Sequence, residues 1–451
     1  MTSLTVHDVS IVTVDDRFQV IDRGWVHCVD GLIVEVGVGD VPRGRLLADT
    51  VIDGTGCALM PGLVNAHTHL FQTMFRGLGD DKSLLDWLRD YIWPAASFME
   101  PADLAAATAV GIAENLLSGV TSVIDHQYLH PIERPDEMDD AAFAVAEQLG
   151  VRYVLASGWA DRNYHPPLTD TIERAGARTE AMVERWHGRH GRLAYEQAPL
   201  IPWGCSDDGM RSMMRLGRRL GIGMHTHCAE TIAEVDMSLD ERGKRHVPWL
   251  ASLDALGPDV QLAHSVWLDD DELALIASSG SVVVHNPVSN MYLASGVARV
   301  PEMLRLGIPV ALASDGPGSN NRQDLFEVLK SSVLLQKVHT LDPMILQPED
   351  ALRMACRGGA AALQMNDQLG IIAEGRIADL TLVDLRSPFV SPVHRVPSAL
   401  VFNCSPANVT ATIVAGEIVA RDGHLIHGDL TQIVATASER CAAMFTRAGL
   451  S

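Results

Sequence analysis

Two histidines one residue apart, His67 and His69, close the apolar run LMPGLVNAHTH, and a period of two sets both imidazoles on one face of a strand. One face can chelate one cation. Further imidazoles end other apolar runs: His225 and His227 in GIGMHTHCAE, His264 in VQLAHSVW and His285 in SVVVHNP. The carboxylate of Asp315 ends PVALASD, just before a glycine-rich turn. Three imidazoles and one carboxylate suit zinc, with iron or manganese also compatible, and a catalytic site of this kind keeps one position for water. Water held there ionises near neutral pH and becomes a nucleophile. The recurrence of these groups at successive strand ends carries the reading, not any one residue.

The elements that must position them follow from the texture of the chain. From about residue 100 to about 365, helical stretches alternate with short apolar strands such as TSVID, RYVLAS, VQLAH and SVVVHN. Strand then helix, repeated roughly eight times, predicts a parallel sheet closed into a (β/α)8 TIM barrel over residues 59–367, whose active sites form at the C-terminal rim of the strands. Residues 1–58 and 368–428 read instead as short strands with frequent turns, and are expected to fold together as a small β-sandwich beside the barrel. Residues 429–451 read as a final helix. A chain of 451 residues is long enough for one large and one small domain in this α/β arrangement.

Composition narrows the partners. The formal net charge is -22, and the 35 Lys and Arg are scattered without a basic stripe, so a phosphate backbone is repelled and nucleic acid is not expected as a partner. No apolar run approaches the length of a membrane span, and Met1 to Val20 lack the features of a secretory leader, so a cytoplasmic protein with no membrane partner is expected. Seven cysteines (Cys28, Cys57, Cys205, Cys228, Cys356, Cys404, Cys441) are widely spaced with no CxxC pair, which points to reduced, buried thiols. The missing CxxC also argues against the zinc deaminases of nucleic-acid bases, whose signature pairs HxE with PCxxC.

With these residues in view, the chain resembles the amidohydrolase superfamily, in its branch of metal-dependent deaminases and chlorohydrolases acting on nucleobases, pterins, adenosine thioethers and triazines. The resemblance runs through MPGLVNAHTHLFQTMFRGLGDD, LLDWLRDYIWP, HTHCAET, LAHSVWL, HNPVSNMYLASG, ASDGPGSNN and GIIAEGRIADLTLVDL, in the family's order. It implies His67, His69, His227 and Asp315 as ligands of one divalent ion, zinc first and iron second. It favours His227 over His225, because the family's ligand stands three residues before a functional glutamate, here Glu230. His225 then becomes a barrel-lining or supporting residue.

The same resemblance implies that Glu230 shuttles protons: to a ring nitrogen as water attacks the adjacent carbon, then to the departing amine. His264 orients or deprotonates the water, and Asp315 accepts a proton as well as binding the ion. Rim residues offered to a flat heteroaromatic substrate are Gln72, His126, Trp87, Trp93, Trp203, Asn290 and Ser319, through hydrogen bonds and stacking. Gln72 and His126 match members that read a purine or pterin edge. Phe71 with Gln72, and Tyr292, depart from relatives acting on adenosine thioethers, which points away from acidic or ribose-bearing substrates. Pro317 departs from the usual small residue beside the aspartate.

The expected activity is hydrolytic deamination of an amino-substituted purine, pterin or triazine-like ring, with guanine-like or pterin-like rings first. The alternative on the same scaffold is hydrolysis of another leaving group: chloride, alkylamine, or an amide or urea C–N bond. A scaffold that has lost its metal is disfavoured by the complete ligand set. The resemblance also implies a homo-oligomer.

Overall fold

A computed structural model describes residues 2–78, 80–131 and 135–450. Strands β1 (Ser3–Val12), β2 (Val20–Val29), β3 (Leu32–Val38), β4 (Thr50–Asp53) and β5 (Cys57–Pro61) open the chain. Eight more follow, each buried along its length almost without exception: β6 (Leu63–Thr68), β7 (Val120–Gln127), β8 (Arg152–Trp159), β9 (Leu193–Pro199), β10 (Met224–Cys228), β11 (Val260–His264), β12 (Val282–His285) and β13 (Val310–Leu312). The last four are β14 (Leu380–Asp384), β15 (Val409–Val414), β16 (Glu417–Arg421) and β17 (His424–Leu425).

Strands β6 to β13 lie in chain order in one sheet whose neighbouring pairs are parallel. The sheet closes where β13 returns to β6: the Asp315 N–H donates to the His67 carbonyl at 3.1 Å, and the Ser314 N–H to Asn65 Oδ1 at 3.0 Å. That seam sets two of the expected ligands side by side. Inward-facing Val64, Ala66, Ile124, Val154, Ala156, Ala198, Val284 and Ala313 fill the lumen, while outward-facing Tyr153, Leu155, Leu262 and Leu312 join the core beneath the helices. Small interior side chains leave room for imidazoles at the rim.

The surrounding helices begin and end where local chemistry dictates. Thr171, Ser206 and Asp324 accept backbone N–H groups at the starts of Ile172–Trp186, Asp207–Leu220 and Leu325–Thr340, and Gly221 ends the second of these in the left-handed conformation. The terminal segments fold together as expected. Hydrogen bonding joins their strands into one mixed sheet, ordered β17-β16-β15-β14-β5-β1-β2-β3, with β4 branching from β1. Leu4, Val6, Ile11, Val26, Leu59, Leu380 and Ile413 share its core. A buried, two-pronged ion pair, Arg152 Nε to Asp379 Oδ2 at 2.8 Å and Nη2 to Oδ1 at 3.1 Å, ties this sheet to the barrel.

Strand β5 runs into β6 through Gly62, where a Cβ would fall 2.2 Å from Thr121 Oγ1. The small domain therefore feeds directly into the HTH motif. All seven cysteines are free, six of them buried and Cys441 half-buried. Among the described residues no helix is long and apolar enough to cross a membrane.

Candidate metal centre and its pocket

His67 and His69 reach the interior through an irregularity in β6. Its pairing with β7 slips between Asn65 and Thr68, so the extra residue lets His67 face inward directly after the inward-facing Ala66. Asn65 and Thr68 turn outward, both bonded to Gln323 Oε1. On β10 ordinary alternation points His225 and His227 inward together.

Hydrogen bonds made behind the rings fix which nitrogen each offers. His69 Nδ1 lies 2.7 Å from the His126 carbonyl and His227 Nδ1 lies 2.6 Å from the Leu200 carbonyl. A carbonyl only accepts, so each Nδ1 carries the proton and each Nε2 presents a lone pair. These two Nε2 atoms face one another at 3.3 Å. Asp315 Oδ1 stands 3.3 Å from His67 Nε2 and 3.4 Å from His69 Nε2. His67 Nε2 is buried and finds no hydrogen-bond partner among the described residues. Burial also pushes the pKa of all three rings down, so they stay neutral. Electron-pair donors that converge with no proton between them make sense around a cation, and neutral imidazoles with a carboxylate fit a divalent one.

Asp315 is held from every side. Its Oδ2 accepts from Ser289 Oγ at 2.6 Å and Ser319 Oγ at 2.8 Å, and its carbonyl accepts from Gln323 Nε2 at 2.9 Å and Thr68 Oγ1 at 3.1 Å. Burial alone would raise its pKa, but the imidazoles around it, among them His264, which gains charge, hold it well below the usual carboxylate range. Its φ of +62°, like +68° at His264 and +46° at Ala229, is left-handed backbone that costs about 1 kcal/mol or more in a residue with a side chain. All three lie at or just past strand ends. Pro317, as the first residue of the short helix Pro317–Asn320, helps bring Ser319 under the carboxylate.

The turn at Ala229 sends Glu230 back over the site from the loop. Glu230 Oε2 is 3.6 Å from His264 Nε2, and Oε1 accepts from Ser295 Oγ at 3.2 Å. Burial raises the Glu230 carboxyl to about 7, where it can both give and take a proton at neutral pH. His264 Nδ1 is 2.9 Å from Asn290 Oδ1, which leaves Nε2 toward Glu230. Burial opposes a charge on this ring, but Glu230 and Asp315 outweigh it and raise its pKa.

Above this floor the wall is largely apolar: Leu84, Trp87, Leu88, Tyr128, Tyr164, Leu200, Ile201, Trp203 and Leu293, with Gln72, Glu234 and Ser319. Among the described residues no Lys or Arg lines it. Of the residues expected to touch substrate, Gln72, Trp87, Trp203 and Ser319 lie here, although Ser319 is engaged with Asp315. Three others lie elsewhere. His126 faces inward among the histidines, its ring 4.8 Å from that of His227 and one of its nitrogens within 4.8 Å of those of His67, His69 and His227, so it meets that cluster and not the wall. Asn290 stands behind His264. Trp93 follows a wide turn over Leu88–Ile92 and packs behind Tyr164 and on His165, with ring centroids 5.2 and 5.7 Å away.

His285 is buried and stands apart from the ligand cluster, and Tyr292 bonds Asp80 away from the pocket. Glu234 is a pocket residue whose only signal in the sequence, Thr231-x-x-Glu234, is that of a helix cap. Its Oε2 does accept from the Thr231 N–H at 2.8 Å, yet the side chain also borders the pocket.

The profile of the Amidohydrolase family matches residues 58–419. The chain is 35% identical over 448 residues to a 5'-deoxyadenosine deaminase of Methanosarcina mazei, covering 99% of each chain. It is also 35% identical over 434 residues to a 5-methylthioadenosine/S-adenosylhomocysteine deaminase of Syntrophomonas wolfei subsp. wolfei, covering 96% of this chain and 97% of that one. The crystal structure of an adenosine deaminase from Xanthomonas campestris with bound zinc superposes with a TM-score of 0.91 at 30% identity, covering 99% of both chains.

Proposed function

The chain belongs to the amidohydrolase family, and on that premise we propose that this pocket deaminates an uncharged aminopurine ring by adding water at the carbon that bears the amine. The protein is a metal-dependent hydrolase of carbon–nitrogen bonds and takes one divalent ion, zinc. His67, His69, His227 and Asp315 would hold that ion, which when bound supplies the Lewis acidity that makes water nucleophilic at neutral pH. His264, oriented by Asn290, takes the proton of the attacking water at Nε2. Glu230 protonates the ring nitrogen beside the attacked carbon. The proton released by water, passed on through the same carboxyl, then goes to the amine, which leaves as ammonia, and the remaining hydroxyl proton, taken by Asp315 as the carbon closes its double bond to oxygen, restores the Glu230 carboxyl. The apolar wall excludes bulk water and stacks the ring.

The observation that carries this reading is Glu230, raised to about 7 and set 3.6 Å from His264 above converging imidazoles. The absence of Lys and Arg from the described wall disfavours phosphate or carboxylate on the substrate. Gln72 Oε1 is buried without a partner among the described residues and is suited to accept a ring or amine N–H, as guanine-like and pterin-like rings present. The names of the similar deaminases favour adenosine-type nucleosides that likewise carry no phosphate. Ammonia release should therefore be measured with guanine, 8-oxoguanine, isoxanthopterin, 5'-deoxyadenosine, methylthioadenosine and melamine. Turnover of at least one aminopurine with kcat/KM above about 10⁴ M⁻¹s⁻¹ is expected. No ammonia from any purine would overturn the reading, and chloride or alkylamine release from a triazine instead would assign a different leaving group.

The same proposal places the enzyme in the cytoplasm and excludes nucleic acid as a partner, given a formal charge of -22. It includes a homo-oligomer, because Val338, Leu341 and Met344 are 67, 87 and 72% exposed beside the half-exposed Met291 and Leu334, a surface that a second copy would cover. A monomeric mass by light scattering would remove that element.

A further inference from the structure

We propose that His225 and Gln261 are positioning residues that order the protons behind His67, so that its Nε2 stays bare for the ion; this rests on the metal-site reading above. His69 and His227 have their Nδ1 protons fixed by backbone carbonyls, which no side-chain substitution removes. His67 differs. Its Nδ1 meets another imidazole, His225 Nε2, at 2.7 Å, with the two ring planes 6° apart. Two imidazoles can share a proton in either sense, so that contact alone leaves the His67 tautomer open.

The next link closes it. Gln261 on β11 donates through Nε2 to the Ala362 carbonyl at 2.8 Å and to Glu196 Oε1 at 3.3 Å. The amide cannot be reversed, because its oxygen would then face the carbonyl oxygen of Ala362. Gln261 Oε1 therefore points to His225 Nδ1 at 3.2 Å and can only accept. The proton on His225 is drawn to Nδ1, its Nε2 becomes the acceptor, and His67 must place its own proton on Nδ1. The lone pair of His67 Nε2 is left facing Asp315 Oδ1 at 3.3 Å. His67, His225 and Gln261 are each no more than 1% exposed, so water does not compete for these bonds.

The test is zinc affinity, read by chelator competition, with the melting temperature of the metal-free protein as the structural control. His225→Leu removes the acceptor, whereas His225→Gln keeps an oxygen able to accept from His67 Nδ1. We expect His225→Leu to bind zinc about 10- to 100-fold more weakly, with its metal-free melting temperature near that of the wild type, and His225→Gln to recover most of the loss. Gln261→Leu, which touches neither His67 nor the ion site, is expected to weaken zinc binding by about 3- to 10-fold and serves if the His225 variants fail to fold. Wild-type zinc affinity in His225→Leu or Gln261→Leu would overturn the proposal, as would equal losses in His225→Leu and His225→Gln, which would make His225 only a space-filler. Failure of the wild type itself to bind zinc would instead remove the metal-site reading beneath it.

Discussion

At the floor of the pocket the reacting groups are oriented from behind by hydrogen bonds: carbonyls behind His69 and His227, two serines under Asp315, Asn290 behind His264. On the wall, Leu84, Trp87, Leu88, Leu200, Ile201 and Leu293 meet the same space mostly through carbon. The difference separates two tasks. Oriented donors set what reaction occurs and tolerate little change, whereas an apolar wall selects which ring fits and tolerates substitution at a graded cost.

Glu230→Gln probes this division hardest. It keeps the shape of the floor and removes its exchangeable proton, so kcat for deamination should fall by about 10²- to 10⁴-fold while zinc content stays near that of the wild type. Activity within tenfold of the wild type would take the proton shuttle away from this residue. Trp87→Ala probes the wall. Loss of one stacking face should raise KM about tenfold, equivalent to roughly 1.4 kcal/mol, with kcat changed by less than about threefold. A fall in kcat as deep as that of Glu230→Gln would erase the distinction between floor and wall.

The smallest effect lies behind the floor. Burial raises Asp125 to about 7, although it accepts from the Leu70 N–H at 3.0 Å, next to His69, and from Tyr153 Oη at 2.7 Å. A folded-state pKa above the unfolded value near 3.8 means that its contribution to stability is fully present below about pH 4 and is lost as pH rises through about 7. Asp125→Asn should therefore melt a few degrees below the wild type at pH 5 and draw level with it, or pass it, by pH 8, as thermal scans at the two pH values would record. A gap of the same size at both would show that the carboxyl does not titrate as its burial requires.

Strand-end histidines and the aspartate were visible in the sequence because a strand's period and its apolar composition say which face a side chain takes and where the strand stops. The barrel and the joining of the two terminal segments were visible for the same reason. What each inward ring meets was not. His126 alternates inward as correctly as His69 does, yet joins the histidine cluster and not the pocket wall, and nothing in VIDHQYLHP records that. The slip between Asn65 and Thr68 leaves no mark in the sequence either, because it depends on pairing with β7. Wall residues such as Leu84, Tyr164 and Leu293 come from connections after different strands, and leucines and tyrosines there look like any packing residue until the chain is folded. Asn290 and Trp93 were misplaced on the wall because a loop side chain's direction is set by tertiary contacts, here with His264 and Tyr164.

The most direct measurement is the metal content of the purified protein beside His69→Ala, both grown with added zinc and analysed by atomic emission. Convergence of His67, His69, His227 and Asp315 on one ion predicts near one zinc per chain in the wild type, and less than about a tenth of that in the variant, with deaminase activity lost in step. Equal zinc in the two proteins, or full activity in a metal-free wild type, would contradict it.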